Sequence, residues 1–98
     1  MSIPFTATQG QYLAFIYAYT TLHRRPPAES DFQTFFRVTP PTVHRMIVML
    51  HERGLIERVP GQPRSITLRL PPDALPPLQS IKISATGYSG GRRFLAPA

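Results

Sequence analysis

The stretch from Thr39 to Leu70 constrains this chain more than any other, because both ends of a helix and the element after it are written into it. Thr39 is a good N-cap, and Pro40 follows at the first helical position, where its missing N–H costs nothing. Pro41 still lies inside the first turn and is tolerated there. The pattern stays helical to Arg53, and Gly54 is the expected left-handed residue beyond it, with Leu55 able to pack back on the last turn. Two strand-like runs follow, Ile56 to Val59 and Ser65 to Leu70, separated by the turn signal Pro60-Gly61-Gln62-Pro63. Ile66, Leu68 and Leu70 alternate with Thr67 and Arg69, which gives the second run one apolar and one wet face. A helix therefore leads directly into a β-hairpin.

Two more helices precede it. Thr6-Ala7-Thr8-Gln9 has the spacing of a capping box, and the helical pattern runs from there to about Arg25. At 100° per residue Tyr12, Phe15, Ile16, Tyr19 and His23 share one side, with Leu13 and Leu22 at its margins and Gln11, Ala14 and Ala18 facing away. Pro26-Pro27 stops this helix, because the residue before proline is pushed out of the α region. A shorter helix is predicted over 28–36, with Glu29 and Asp31 in its first turn and Phe32, Phe35 and Phe36 at i, i+3 and i+4. Arg37 and Val38 make the turn into the third helix. The implied fold is mainly α with a small β-hairpin, a three-helix winged helix-turn-helix. It occupies residues 1–70. Residues 71–98 hold Pro71-Pro72, Pro76-Pro77 and Gly90-Gly91 and read as an extended tail, in which only Ile81-Lys82-Ile83 suggests a strand.

Composition narrows the function. The chain has 98 residues, enough for one domain and too few for two. Eleven basic residues against five acidic ones give a net charge of +6. All the basic residues but Lys82 are arginine, whose planar fork matches phosphates and guanine edges. With no cysteine, disulfide and zinc-finger scaffolds are excluded, and a reducing cytoplasm is the expected location. No apolar run approaches the ~20 residues a membrane helix needs, and the N-terminus lacks the pattern of a signal peptide.

The third helix carries the functional reading. With Val43 set to zero degrees, Met46, Ile47 and Leu50 fall within about 60° of it and form the core side. Pro41, Arg45, Val48 and Glu52 lie opposite, flanked by Thr42, His44 and Met49. A merely solvated face would carry more Glu, Lys and Gln. Arg45 has no acidic residue three or four positions away and is the leading candidate for a bidentate contact to guanine O6 and N7. Thr42 and His44 can reach bases or phosphates, and Val48 can meet a thymine methyl or, with Met49, cover the hairpin. Arg37 and Thr39 stand at the helix entrance, where the dipole and free N–H groups attract an anion. Arg64, just past the hairpin turn, is placed to touch the adjacent backbone or minor groove, whereas Arg58 and Arg69 can be phosphate contacts or solvated. The expected partner is double-stranded DNA, with no metal, no cofactor and no membrane, and a two-fold homodimer is an option that a palindromic site would reveal.

The order of these features resembles the N-terminal DNA-binding domain of LexA-type repressors. The shared landmarks are Thr6-Ala7-Thr8-Gln9 opening helix one, Pro26-Pro27 before helix two, Thr39-Pro40 opening helix three, and Leu50-His51-Glu52-Arg53-Gly54-Leu55-Ile56-Glu57 leading into the wing. Gly61 and Arg64-Ser65-Ile66 fall at the wing tip and returning strand. The Leu…Arg-Gly-Leu-Ile-Glu element is shared with other winged-helix families, including MarR-like ones. The resemblance implies sequence-specific duplex binding through Thr42, His44, Arg45 and Val48, and a role in transcription regulation, as in a repressor. Three departures stand out: the helix-three side chains differ from those usual in the family, the turn between helices two and three is one residue shorter, and Phe36 lies near the family's usual glycine. No counterpart of the LexA protease domain is expected in these 98 residues.

Two other classes were weighed. Catalysis is not expected: His44 and His51 share a face but lie ~10 Å apart along the axis, too far to ligate one metal, and no nucleophile–base pair or phosphate loop is evident. A winged helix serving as a protein-docking module in a larger assembly is the alternative. RNA duplex binding is disfavoured by its narrow major groove.

Overall fold

Thr6 does what its spacing predicts. Its hydroxyl accepts from the Gln9 N–H at 3.1 Å, and the Gln9 amide oxygen accepts from the Thr6 N–H at 2.9 Å, closing the capping box that starts α1 (Ala7–His23). The computed structural model describes residues 4–79. Helix α1 ends two residues short of the expected Arg25, because Arg24 takes the left-handed conformation (φ 61°) and its N–H closes on the Thr20 carbonyl. Helix α2 (Glu29–Phe36) follows; the Asp31 carboxylate accepts from the Ala28 N–H at 2.8 Å and so caps its start. Left-handed Arg37 (φ 58°) ends it and turns the chain into α3 (Pro40–Glu52).

Helix α3 closes as anticipated. Gly54 has φ 75°, its N–H bonds to the His51 carbonyl, and the Leu55 N–H reaches back to the Leu50 carbonyl. Strands β1 (Ile56–Glu57) and β2 (Thr67–Leu68) pair antiparallel, with Ile56 opposite Leu68 and Glu57 opposite Thr67. Both are shorter than the sequence suggested. The Gln62 N–H bonds to the Val59 carbonyl across Pro60-Gly61, with Gly61 at φ 80°, so a turn takes Val59 out of the ladder. The Ser65 hydroxyl accepts from the Val59 N–H at 2.9 Å and holds the base of that turn. Mainly helical and carrying one hairpin, this is the three-helix winged helix-turn-helix expected.

Phe32 is fully buried among rings, with Tyr12, Phe15 and Phe36 centred 5.4, 4.9 and 6.5 Å away. Val43, Ile47 and Leu50 of α3 and Ile56 and Ile66 of the hairpin complete the core, as the periodicity predicted. Burial pushes the Tyr12 hydroxyl pKa above its ordinary value.

Helix α1 departs from its expected one-sided pattern. Tyr12, Leu13, Ala14, Phe15 and Ile16 are buried in succession. Ala14 does not face solvent, because residues 71–79 fold across it in place of extending away. A 3₁₀ turn at Pro72–Ala74 redirects the chain, and Leu75, Pro76 and Leu78 then line a hollow with Ala14, Tyr17 and Ala18. The Gln11 amide donates to the Pro77 carbonyl at 3.0 Å and accepts from the Gln79 N–H at 2.8 Å. Gly10 gives this strap its seat: a Cβ there would lie 2.9 Å from Phe5 and 3.0 Å from Pro76. The Ile81–Ile83 strand and the basic groups Lys82, Arg92 and Arg93 lie outside the described residues.

Candidate nucleic-acid interface

The outward face of α3 is built by its two ends. The α2–α3 turn delivers Thr39, Pro40 and Pro41 to the surface, and the buried Val43, Ile47 and Leu50 fix the rotation of the helix about its axis. Pro41, His44, Arg45 and Glu52 are consequently exposed, and Thr42 and Val48 are half-buried. Arg37, also exposed, stands at the helix entrance.

Thr39 is at the N-cap position, but its hydroxyl bonds to the Thr42 hydroxyl at 2.9 Å in place of a backbone N–H. The prolines also reduce what the helix terminus can offer an anion. Pro40 and Pro41 have no N–H, and the Val43 N–H is already bonded to the Thr39 carbonyl at 3.1 Å. Of the first three helical residues only Thr42 keeps a donor. Anion attraction at this point therefore depends on side chains more than on the free N–H groups anticipated.

His44 is held from outside its helix. Its Nδ1 lies 3.3 Å from Glu29 Oε2 on α2, a partner fifteen residues away that helical spacing could not reveal. An ionised Glu29 can only accept, so Nδ1 is the donor in this pairing and Nε2 is left without a partner among the described residues. Arg45, Arg37, Arg53 and Arg58 form no ion pair with another described residue. Arg69 is different, because it spans the hairpin to Glu57 at 2.8 Å. Both groups are more than half exposed, so the pair contributes at most about 1 kcal/mol.

Met49 is partly exposed and is held from outside its helix. Its sulfur accepts from the amide of buried Gln9 at 3.0 Å, tying α3 back to the start of α1. Val48 remains on the outer face, half-buried.

Arg64 is the residue whose position changes most against expectation. In place of projecting from the wing, its Nη1 lies 3.1 Å from the Tyr19 hydroxyl, 3.1 Å from the Pro26 carbonyl and 3.2 Å from Asp31 Oδ2. The Tyr19 hydroxyl foremost, with the Asp31 charge, raises its pKa against the opposing effect of desolvation. The loop also encloses a cleft of about 280 Å³ against the start of α2, lined by Ala28, Glu29, Arg58, Val59 and Arg64 among others. Sequence reading missed Glu29, Tyr19 and Asp31 as partners of the interface, since each contact joins separate elements.

Among the described residues no three His, Asp or Glu side chains gather as a metal site would require, and no helix is long and apolar enough to cross a membrane. No known protein-family model matches the chain.

Proposed function

We propose that this protein is a sequence-specific double-stranded DNA-binding module of the winged helix-turn-helix class, LexA-like in its binding plan, acting in transcription regulation. One observation carries the reading: α3 turns Pro41, Thr42, His44 and Arg45 outward while Arg45, and Arg37 at the helix entrance, form no ion pair among the described residues. Arginines without partners on an exposed helix suit phosphates and guanine edges; on a resting surface they gain nothing from the fold. Arg45 reads a base, Arg37 and Arg58 meet phosphates, and His44 reaches a base or a phosphate through Nε2.

Selection of duplexes from a random pool, followed by fluorescence anisotropy at 50 and 200 mM salt, tests this. The two phosphate contacts would give a log–log salt slope near −1.8, at about 0.9 per contact. Arg45→Ala is expected to cost about 1–3 kcal/mol on the best site and to relax preference at one position. Equal losses on all sequences would make Arg45 a phosphate contact, and flat, weak binding at low salt would refute the DNA reading. Two-fold symmetry in the selected sites would mark a homodimer.

A protein-docking role is the second reading. It is favoured by two exposed apolar side chains of α1, Leu22 at 76% and Tyr17 at 42% exposure.

A further inference from the structure

We propose that Arg64 is a positioning residue, which pins the β1–β2 loop to the helical body and so fixes where that loop meets DNA. This inference rests on the DNA-binding reading above and takes Arg64 off the list of DNA contacts.

The backbone is the first sign. Arg64 holds φ 56°, a left-handed conformation that a non-glycine residue adopts only under strain. That conformation turns the side chain back under the loop. Three acceptors then converge on one nitrogen, and they come from three places: Tyr19 on α1, Pro26 in the α1–α2 connection and Asp31 on α2. Nη1 has two N–H groups, so the acceptors share them. The guanidinium carbon also sits 5.8 Å from the centre of the Tyr19 ring.

Asp31 makes the clamp more than a surface ion pair. The oxygen that faces Arg64 also accepts the Ala28 N–H at 2.8 Å, so one carboxylate caps α2 and anchors the loop. The pair is two-thirds or more buried, at 33% and 25% side-chain exposure.

The loop has little else to hold it. Among the described residues, its remaining side-chain hydrogen bonds are internal, between Ser65 and Val59 or Gln62. Each strand of the ladder is only two residues long. Arg64 therefore sets the width of the cleft between the loop and the start of α2. Arg58, on the same cleft and without an ion pair among the described residues, is the loop cation left for a phosphate.

The test compares Arg64→Met, Arg64→Lys and Arg58→Ala by amide hydrogen exchange of the free proteins and by the salt slope of binding to the selected duplex. In Arg64→Met the hydrogen-bonded amides of Val59 and Gln62 should exchange about tenfold faster, the change expected when a charged hydrogen bond is lost, while amides within α3 stay protected. Its DNA affinity should fall with the salt slope unchanged. Arg64→Lys should recover only part of both, because its ammonium keeps the charge but stops one atom short of the converging acceptors. Arg58→Ala should leave exchange alone and make the slope shallower by about 0.9. Unchanged exchange in Arg64→Met, with a slope shallower by that amount, would make Arg64 a phosphate contact and overturn the proposal. Should Arg64→Met not fold, Arg64→Gln removes the guanidinium while keeping a polar side chain, and faster Val59 and Gln62 exchange supports the clamp while unchanged exchange refutes it. If the wild-type chain binds no duplex, the DNA reading fails, and the exchange data alone still decide whether Arg64 holds the loop.

Discussion

Replacing Arg37 by glycine should move stability and DNA affinity in opposite directions. Arg37 ends α2 at φ 58°, where an L side chain crowds its own carbonyl at a cost of about 1–2 kcal/mol. Glycine removes that crowding but brings a more flexible unfolded chain, which returns about 0.4–1 kcal/mol. Nothing else is lost on folding: the Arg37 side chain is exposed, has no ion pair with a described residue, and the N–H that bonds to the Gln33 carbonyl is kept. The net gain is about 0.5–1 kcal/mol, or a Tm roughly 2–8 °C higher for a domain of this size. Binding should weaken on every sequence alike, with a salt slope shallower by about 0.9, as expected of a lost phosphate contact. Thermal unfolding by circular dichroism and anisotropy at several salt concentrations measure the two effects. Arg24→Gly is the stability control, since it relieves the same conformation (φ 61°) at the end of α1. A lower Tm for both variants would refute the strain argument. A higher Tm with unaltered DNA binding would show that the cation at Arg37 serves something other than duplex DNA.

Phe32→Ala should cost about 3–5 kcal/mol, measured by urea unfolding, because a fully buried ring that joins Tyr12, Phe15 and Phe36 leaves a cavity no neighbour can fill; a loss under about 1 kcal/mol would mean that α2 is not seated on these rings. Gln11→Ala removes both amide contacts to the strap at Pro77 and Gln79, and is expected to destabilise by about 1–2 kcal/mol and to speed proteolysis between residues 71 and 79; unchanged cleavage would show that Gln11 does not hold the strap.

Local signals served well where the chain uses the usual residue for the job. Thr6 with Gln9 marked one helix start, Pro40 another, and Gly54 a stop, each through a backbone requirement that few residues satisfy. The apolar spacing of Val43, Ile47 and Leu50 likewise fixed which side of α3 faces outward. The strap was missed for a different reason. Paired prolines usually mark a linker, and only the tertiary partners Gly10, Gln11 and Ala14 show that Leu75, Pro76 and Leu78 have a surface to cover. The same blindness hid the His44–Glu29 and Arg64–Asp31 contacts, which join residues fifteen and thirty-three apart.

The misplaced end of α1 and the misassigned Arg64 have a common cause. Among the described residues, every non-glycine position with positive φ is an arginine: Arg24, Arg37 and Arg64. A reader who looks for glycine at such turns finds it at Gly54 and Gly61 and passes over the other three. Glycine or asparagine would be the less strained choice at each, so what the side chain does must offset the backbone cost. For Arg64 the return is visible inside the protein, as three hydrogen bonds that hold the loop. Arg24 and Arg37 are exposed and form no ion pair among the described residues, so no such return is visible for them within the described fold. The positions that sequence patterns read worst are thus the ones where an arginine stands in place of the usual glycine, and at Arg64 the side chain itself ties the turn to the helices.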